Sequence, residues 1–349
     1  MESVHFCKMV REGLFMIWFD LVTPKSVLFF APIIKEIMKK GDVLITSRGD
    51  STYTEVNELL DLMALDYTSY GSYGGANLKG KLTAALNRQV ELNEFIQEYK
   101  IDCLINLCSV DACRVAFGNG IKIVNFCDFP TGKDDKLTHV AKLTLPLSDK
   151  IFYPFYIPKS IFSKYCENII EYDFLDPIIY LQTQDKDDVF FTTLNIDKTK
   201  KTILYREEEH KASYVDKQRV FIEEILNRLD VNLIIIPRYE YQVVQKKFPN
   251  AIVLKEKIEL SSILPFSDVF VGGGGTINIE ACYWNVPVIS TRSFLCYYDR
   301  YLINQNLMFH VSNEDEFFEI YNKLDRIKMD NSCIIKEVNI QNLIKQIKE

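Results

Sequence analysis

A chain of 349 residues exceeds one ordinary core and suits two domains of usual size. Apolar residues make up 48%, enough for two buried cores, and a net charge of −7 with pI near 5.4 comes with no long basic block. That excludes nucleic acid as the main partner, because phosphate-backbone affinity needs clustered Lys and Arg, and no apolar run approaches the ~18 residues of a spanning helix.

The opening MESVHFCKMVREGLFM lacks the apolar core and cleavage site of a secretory signal. Residues 1–15 are expected to be an extension. Leu14–Phe19 reads as a first strand, with an amphipathic helix closing over Pro32–Lys40. Asp42–Thr46 is a second strand, followed by a helix over Tyr53–Ala64 and a long one over Asn77–Tyr99. Cys103–Leu107 and Ile121–Asn125 are buried strands separated by a helix near Asp111–Phe117. Crossovers of this length favour parallel pairing.

From Pro154 to about Lys201 the periodicity weakens, and Pro, Asp and aromatic residues accumulate. The aromatic patch Phe152–Phe162 suits a core, with a lipid-linked acceptor as the alternative. Alternation returns in Thr202–Tyr205, Asn232–Ile236, Ala251–Leu254, Asp268–Val271 and Val286–Thr291, with helices over Val215–Leu229 and Ser261–Phe266. A last helix, Ile335–Lys348, could pack on either half. The expected division is residues 1–15 extension, 16–165 first domain, 166–200 linker, 201–332 second domain and 333–349 terminal helix. The expected fold class is α/β, two Rossmann-like doubly wound parallel-sheet domains facing a cleft, with ligands at strand carboxyl ends.

Cys103, Cys108 and Cys113 recur every five residues. A strand running into a helix makes their side chains diverge, so they are read as reduced structural thiols of a cytoplasmic protein and not as metal ligands.

Asp268-Val-Phe-Val-Gly-Gly-Gly-Gly-Thr carries the chemistry. A buried strand ends at Val271, Gly272, Gly273, Gly274 and Gly275 follow, and a helix starts near Thr276. Glycines admit close approach and positive φ, and the helix start offers unpaired N–H groups and partial positive charge. Together these make a diphosphate cradle, with Thr276 as a hydroxyl donor and Glu280 one turn on as an acceptor for a ribose diol. The alternative is a turn that only reverses the chain. There is no P-loop motif, and Ile277 stands where a dinucleotide fingerprint needs its third glycine.

Arg206, in Tyr205-Arg-Glu-Glu-Glu-His-Lys211, could neutralise a diphosphate, and Arg238 or Tyr239 could meet the base. Each has a solvated loop as its alternative. Thr23–Ser26, including Lys25 and Ser26, and Asp128–Asp135 are first-half loops that could face an acceptor. Asp128 and Asp134, with Asp135 beside them, are candidate general bases. His139 reads as a helix-surface or packing residue, and Asp185-Lys-Asp187 as solvated.

These stretches resemble the family of domain of unknown function 354. The resemblance runs from Met16 to about Asn313 through IWFDLVTPKSVLFFAPIIKE, VLITSRGD, GSYGGANLKGKL, KLTLPLSDKIFYP, YREEEHKASYV, IIPRYEYQ and VGGGGTINIEACYWNVPVIST. The last is the most specific. The family resembles GT-B glycosyltransferases and non-hydrolysing UDP-N-acetylglucosamine 2-epimerases. That implies Gly273, Gly274, Gly275 and Thr276 on phosphate and Glu280 on ribose. The sequence departs from the family where histidines are usual, with Ser26, Leu28 and Leu107 in their places and Asp134-Asp135-Lys136 before LTLPL. The expected function is glycosyl transfer from a nucleotide-diphosphate sugar, UDP-linked as that resemblance implies, to an unknown glycan or lipid-linked acceptor, with peripheral membrane contact as an option. No metal and no cofactor besides the donor substrate are expected. The alternatives are a 2-epimerase and a non-catalytic nucleotide-sugar-binding subunit.

Overall fold

A computed structural model describes residues 16–50, 54–75, 77–208, 221–238 and 240–349. The expected extension 1–15, the first residues of the strand begun at Leu14, Tyr53, residues 209–220 with the start of the helix expected from Val215, and Tyr239 lie outside the described residues. The chain divides into two compact units. The first comprises residues to Pro130, Leu137–Tyr172 and Asn339–Glu349, and the second comprises Thr131–Lys136 and Asp173–Val338.

In the first unit β1 (Met16–Leu21), α1 (Pro24–Met38), β2 (Asp42–Ser47), α2 (Glu55–Leu62), β3 (Thr68–Ser69), α3 (Leu78–Ile96), β4 (Cys103–Asn106), α4 (Val110–Gly118), β5 (Lys122–Phe126), α5 (His139–Thr144), β6 (Lys150–Pro154) and β7 (Ile169–Tyr172) follow in order. Their sheet is ordered β3-β2-β1-β4-β5-β6-β7, and every pairing is parallel. β1 reads MIWFDL and is buried along almost its whole length, as a strand covered by helices on both faces must be. α1 starts where Thr23 and Ser26 form a capping box and Pro24 occupies the first turn. The helix runs through Pro32, which forfeits one backbone bond inside it.

The second unit contains α6 (Ile178–Leu181), α7 (Val189–Thr193), β8 (Thr202–Arg206), α8 (Phe221–Arg228), β9 (Asn232–Ile235), α9 (Tyr241–Lys247), β10 (Ile252–Val253), β11 (Val269–Gly272), α10 (Thr276–Tyr283), β12 (Val288–Ser290), α11 (Tyr297–Asn304), β13 (Met308–His310) and α12 (Glu314–Tyr321). Its sheet is ordered β10-β9-β8-β11-β12-β13, again all parallel. Its core joins Ile203, Ile225, Ile235, Phe248, Val271 and Phe317. Each unit is therefore a Rossmann-like doubly wound sheet, the pair of units that makes up the GT-B architecture.

Several elements differ from the expectation. The stretch read as part linker and part small elements, 166–200, holds β7, beginning at Ile169, together with α6 and α7. Weak periodicity hid them because β7 is only four residues long and α6 is buried on all sides. Ser261–Phe266 forms two 3-10 turns, Leu260–Ser262 and Leu264–Phe266, with Pro265 placed to prevent one continuous helix. The aromatic patch is core at its two ends, where Phe152 and Phe162 are fully buried. The terminal helix α13 (Ile340–Lys348) belongs to the first unit and packs on α1.

Candidate functional site in the second unit

In the second sheet the chain progresses outward from β8 to β10, then returns to the middle and progresses the other way from β11. The carboxyl ends of β8 and β11 thus flank the topological switch point, where open parallel sheets leave a crevice. Register pairs Gly272 with Arg206 across it. The four glycines stand there, and α10 begins immediately after with Gly275 as N-cap and no side-chain capping bond. In the first turn of α10 the Asn278 N–H donates to the Gly275 carbonyl at 3.2 Å, which leaves the Thr276 and Ile277 N–H groups without an acceptor inside the helix.

The glycines serve close approach and not positive φ, since the described glycines with positive φ are Gly71, Gly75 and Gly120. A Cβ on Gly272 would lie 2.6 Å from the Arg206 carbonyl oxygen, and one on Gly274 2.6 Å from Ile277 Cγ2. A Cβ on Gly273 would strike the Glu208 side chain, and one on Gly275 the Tyr298 hydroxyl. Gly272, Gly273 and Gly274 are accordingly buried against protein, whereas Gly275 and Thr276 are half-buried. Glu208 lies over Gly273 and accepts from Ser293 N–H at 3.0 Å and Ser293 Oγ at 2.8 Å. The part of the run that a ligand could meet is its helical end.

Glu280 is buried one turn into α10 and accepts from the Tyr180 hydroxyl at 3.0 Å. Burial pushes its carboxyl up from 4.5 to about 7, while the Tyr180 hydrogen bond and the positive charge of Arg206 pull the other way. Arg206 and Glu280 therefore share one neighbourhood. Arg292, just beyond β12, is buried and donates from Nη1 to Asp299 Oδ2 at 3.0 Å and to the Tyr298 hydroxyl. The same nitrogen is 3.4 Å from the Cβ position of Gly275, which sets a fixed cation beside the helix start. Its carbonyl oxygen is 2.9 Å from His310 Nε2. Arg238 donates from Nε to the Glu207 carbonyl at 3.1 Å, bracing the loop after β8.

In the first unit Lys25 and Asp128 form an ion pair. Ser26 is fully buried and its hydroxyl donates to the Thr23 carbonyl at 2.7 Å, so it caps α1 and does not present itself to an acceptor. Asp134 is exposed, has φ +57° in a 3-10 turn, and lies 3.8 Å from Lys136 Nζ. It clusters with the second unit, whereas Asp128 belongs to the first. Asp135 pairs with Arg300 at 2.9 Å. His139 and the Asp185-Lys-Asp187 stretch are exposed. Cys103, Cys108 and Cys113 are buried free thiols, and burial raises Cys103 to about 12. Among the described residues no three His, Cys, Asp or Glu converge as metal ligands, and no helix is long and apolar enough to cross a membrane.

Sequence reasoning missed Tyr180, Glu208, Arg292 and a buried cluster in the first sheet. There Asp20 takes both Nη atoms of Arg88, at 2.7 and 3.2 Å, and the hydroxyls of Thr46 and Ser109 at 2.6 and 2.5 Å. An aspartate inside the apolar run of β1 was a usable signal for that cluster. Tyr180 offered none.

Solved structures share this fold along nearly the full chain. A Methanocaldococcus jannaschii UDP-GlcNAc 2-epimerase in complex with UDP-GlcNAc and UDP is 15% identical, with 95% of this chain and 99% of that one covered and a TM-score of 0.73. A Neisseria meningitidis UDP-GlcNAc 2-epimerase bound to UDP-GlcNAc is 14% identical over 95% and 99%, with a TM-score of 0.65. The glycotransferase of kitacinnamycin is 14% identical over 96% and 95%, with a TM-score of 0.61. In sequence, an uncharacterized protein of Methanocaldococcus jannaschii is 28% identical over 316 residues, 86% of this chain and 89% of that one. The model of a family described as a protein of unknown function, DUF354, matches residues 15–347, and the chain is a member of that family.

Proposed function

We propose that the second unit binds the diphosphate of a nucleotide sugar at the first turn of α10, and that the protein transfers the sugar to a glycan or lipid-linked acceptor. The observation that carries this reading is the helix start without a side-chain cap at the switch point, with Arg292 beside Gly275 and with Arg206 near Glu280. Leaving-group charge that builds on the diphosphate would meet preorganised N–H dipoles and guanidinium groups. Glu280, held by Tyr180, would accept from the ribose diol. Asp128, oriented by Lys25, is the proposed proton acceptor in preference to the exposed Asp134.

A second reading, 2-epimerisation of the same donor class, is favoured by the fold-related proteins that are epimerases with UDP-GlcNAc bound. It needs an acid–base pair for elimination and re-addition. Incubation with UDP-GlcNAc separates the two, because transfer or hydrolysis releases UDP whereas epimerisation yields the manno isomer. Stabilisation by UDP without turnover would leave a binding protein. Thr276→Asp tests the site itself. A carboxylate at a helix start supports folding but repels phosphate, so the variant is expected to keep its unfolding midpoint and lose UDP stabilisation. Undiminished UDP binding by Thr276→Asp would remove the site from α10.

A further inference from the structure

The carboxyl ends of β4 and β5 bring together two thiols that the proposed transfer does not use. Asn106 pairs with Asn125 in the parallel register, and continuing that register by two residues sets Cys108 opposite Cys127. Neighbouring strands lie about 4.8 Å apart, inside the span of about 4.4–6.8 Å between the Cα atoms of a disulfide. The side chains meet as well. Cys108 Sγ donates to the Phe126 carbonyl at 3.4 Å, and the Cys127 thiol is hydrogen-bonded to that of Cys108. Both are free thiols. Cys113, also near Cys108, is committed elsewhere: its thiol is 3.5 Å from both Asn106 Oδ1 and Asn125 Oδ1.

The two thiols differ in what they can do. Cys108 is 9% exposed and Cys127 only 3%. Contact with Cys108 and burial hold the Cys127 thiol well above its ordinary pKa, so it is the poorer nucleophile toward an oxidant from solution. Cys108 has φ +55°, a left-handed backbone that a residue with a Cβ adopts only under constraint. Cys127 is anchored in the sheet by its N–H, which donates to the Phe152 carbonyl at 2.9 Å. The next residue is Asp128, paired with Lys25. We propose that Cys108 and Cys127 are an oxidative modification site, at which a peroxide joins them in a reversible disulfide that fixes the loop carrying Asp128. With hydrogen peroxide, the Cys108 sulfur takes one oxygen as the O–O bond breaks, and its proton leaves in a water molecule. The Cys127 sulfur then displaces the hydroxyl from Cys108. The S–S bond forms, the S–O bond breaks, and the hydroxyl leaves with the Cys127 proton as a second water. A dithiol reverses the step by exchange.

Tryptic mapping of the full chain after exposure to hydrogen peroxide tests this. The expected product lacks two hydrogens, carries no added oxygen on either cysteine, and links fragment 101–114 to fragment 123–133. Dithiothreitol should separate them. Fragment 101–114 also holds Cys103 and Cys113. Cys108→Ser should therefore lower the yield of the link at least about tenfold, whereas Cys103→Ser and Cys113→Ser keep it. Cys127→Ala should give the same loss, which keeps the test valid if Cys108→Ser misfolds. Amides of 107–110 and 126–129 should exchange more slowly in the oxidised chain, a readout that needs no turnover. Sugar transfer should fall about tenfold or more, because a small displacement of a base is costly, while UDP stabilisation stays. This arm alone rests on the transfer reading, and a reduced chain that transfers nothing would count against that reading and not against the disulfide. Oxygen added to Cys108 with no link, a link that survives Cys108→Ser, unchanged exchange at 126–129, or equal transfer by the oxidised and reduced chains would overturn the proposal.

Discussion

Glu280 is where the sign of a pH effect can be worked out. Its carboxyl stands near 7 in the folded chain against 4.5 when unfolded. Between those values the folded state holds a proton that the unfolded state has released, so this residue's contribution to stability falls as pH rises through the window. The full span is about 3 kcal/mol. Glu280→Gln abolishes it, and the variant is expected to gain on wild type in unfolding midpoint as pH rises from about 5 to about 8. A pH-independent difference would contradict this. Ligand binding has the opposite sign. At the proposed ribose contact only the carboxylate form would accept both hydroxyls, so UDP affinity should rise with pH through about 7. Tyr180→Phe removes a donor to that carboxylate and should move the midpoint of the affinity profile to higher pH, which a purely packing role for Tyr180 would leave in place. The turn from strand through glycines to helix was legible because its pattern is local. Tyr180 reaches Glu280 across 100 residues and Glu208 reaches Ser293 across 85, so only the fold brings them together.

Elements with strong periodicity or caps were legible to within a few residues. α1 was legible through its amphipathic close over Pro32–Lys40, although its start at Thr23, Pro24 and Ser26 was read as a loop, and β4 through four buried residues in a row. β3 and β10, at two residues each, carry too little pattern to read. Leu92 and Ile96 pack α3 against Trp18 and Leu104, and a further tie to the first sheet was illegible: a buried arginine. Arg88 spends its donors on Asp20, on the Tyr70 carbonyl at 3.0 Å and on the Ser47 carbonyl at 3.3 Å, with Asp111 3.5 Å away. Gly71 passes over it at φ +83°, and a Cβ there would lie 2.7 Å from Arg88 Cδ. Arg88→Met would leave Asp20 buried beside only its hydroxyl partners, at an expected cost of about 3–5 kcal/mol. Adding Asp20→Asn should recover a large part, because it removes the stranded charge. Urea midpoints at constant slope measure both steps. Equal losses in the single and double variants would mean that the ion pair is incidental to the fold.

At the scale of the whole molecule, two α/β halves written in one grammar made the pair of Rossmann-like units readable. Their segment composition was not readable, because a chain's return to its first unit depends on contacts between its two ends. α13 buries Leu343, Ile344 and Ile347, and Gln341 donates to Glu36 on α1 at 2.7 Å. Lys150 at the start of β6 is buried and donates to the Gln346 carbonyl at 2.6 Å, so it serves as the cation at the helix's carboxyl end. Burial lowers its pKa. Deleting residues 339–349 therefore exposes apolar surface on α1 and strips Lys150 of its acceptors. The expected loss is several kcal/mol, at about 2 kcal/mol for each aliphatic side chain, and it should fall on the unit that α13 belongs to. Hydrogen exchange resolves this by segment: amides of β1, β5 and β6 should lose protection, while those of β8, β9 and β11 keep theirs. UDP should still protect residues 272–280 in the shortened chain, since no residue proposed to hold it comes from α13. Equal loss of protection in both sheets would show that α13 supports the second unit as strongly as the first, and that the two sheets unfold as one.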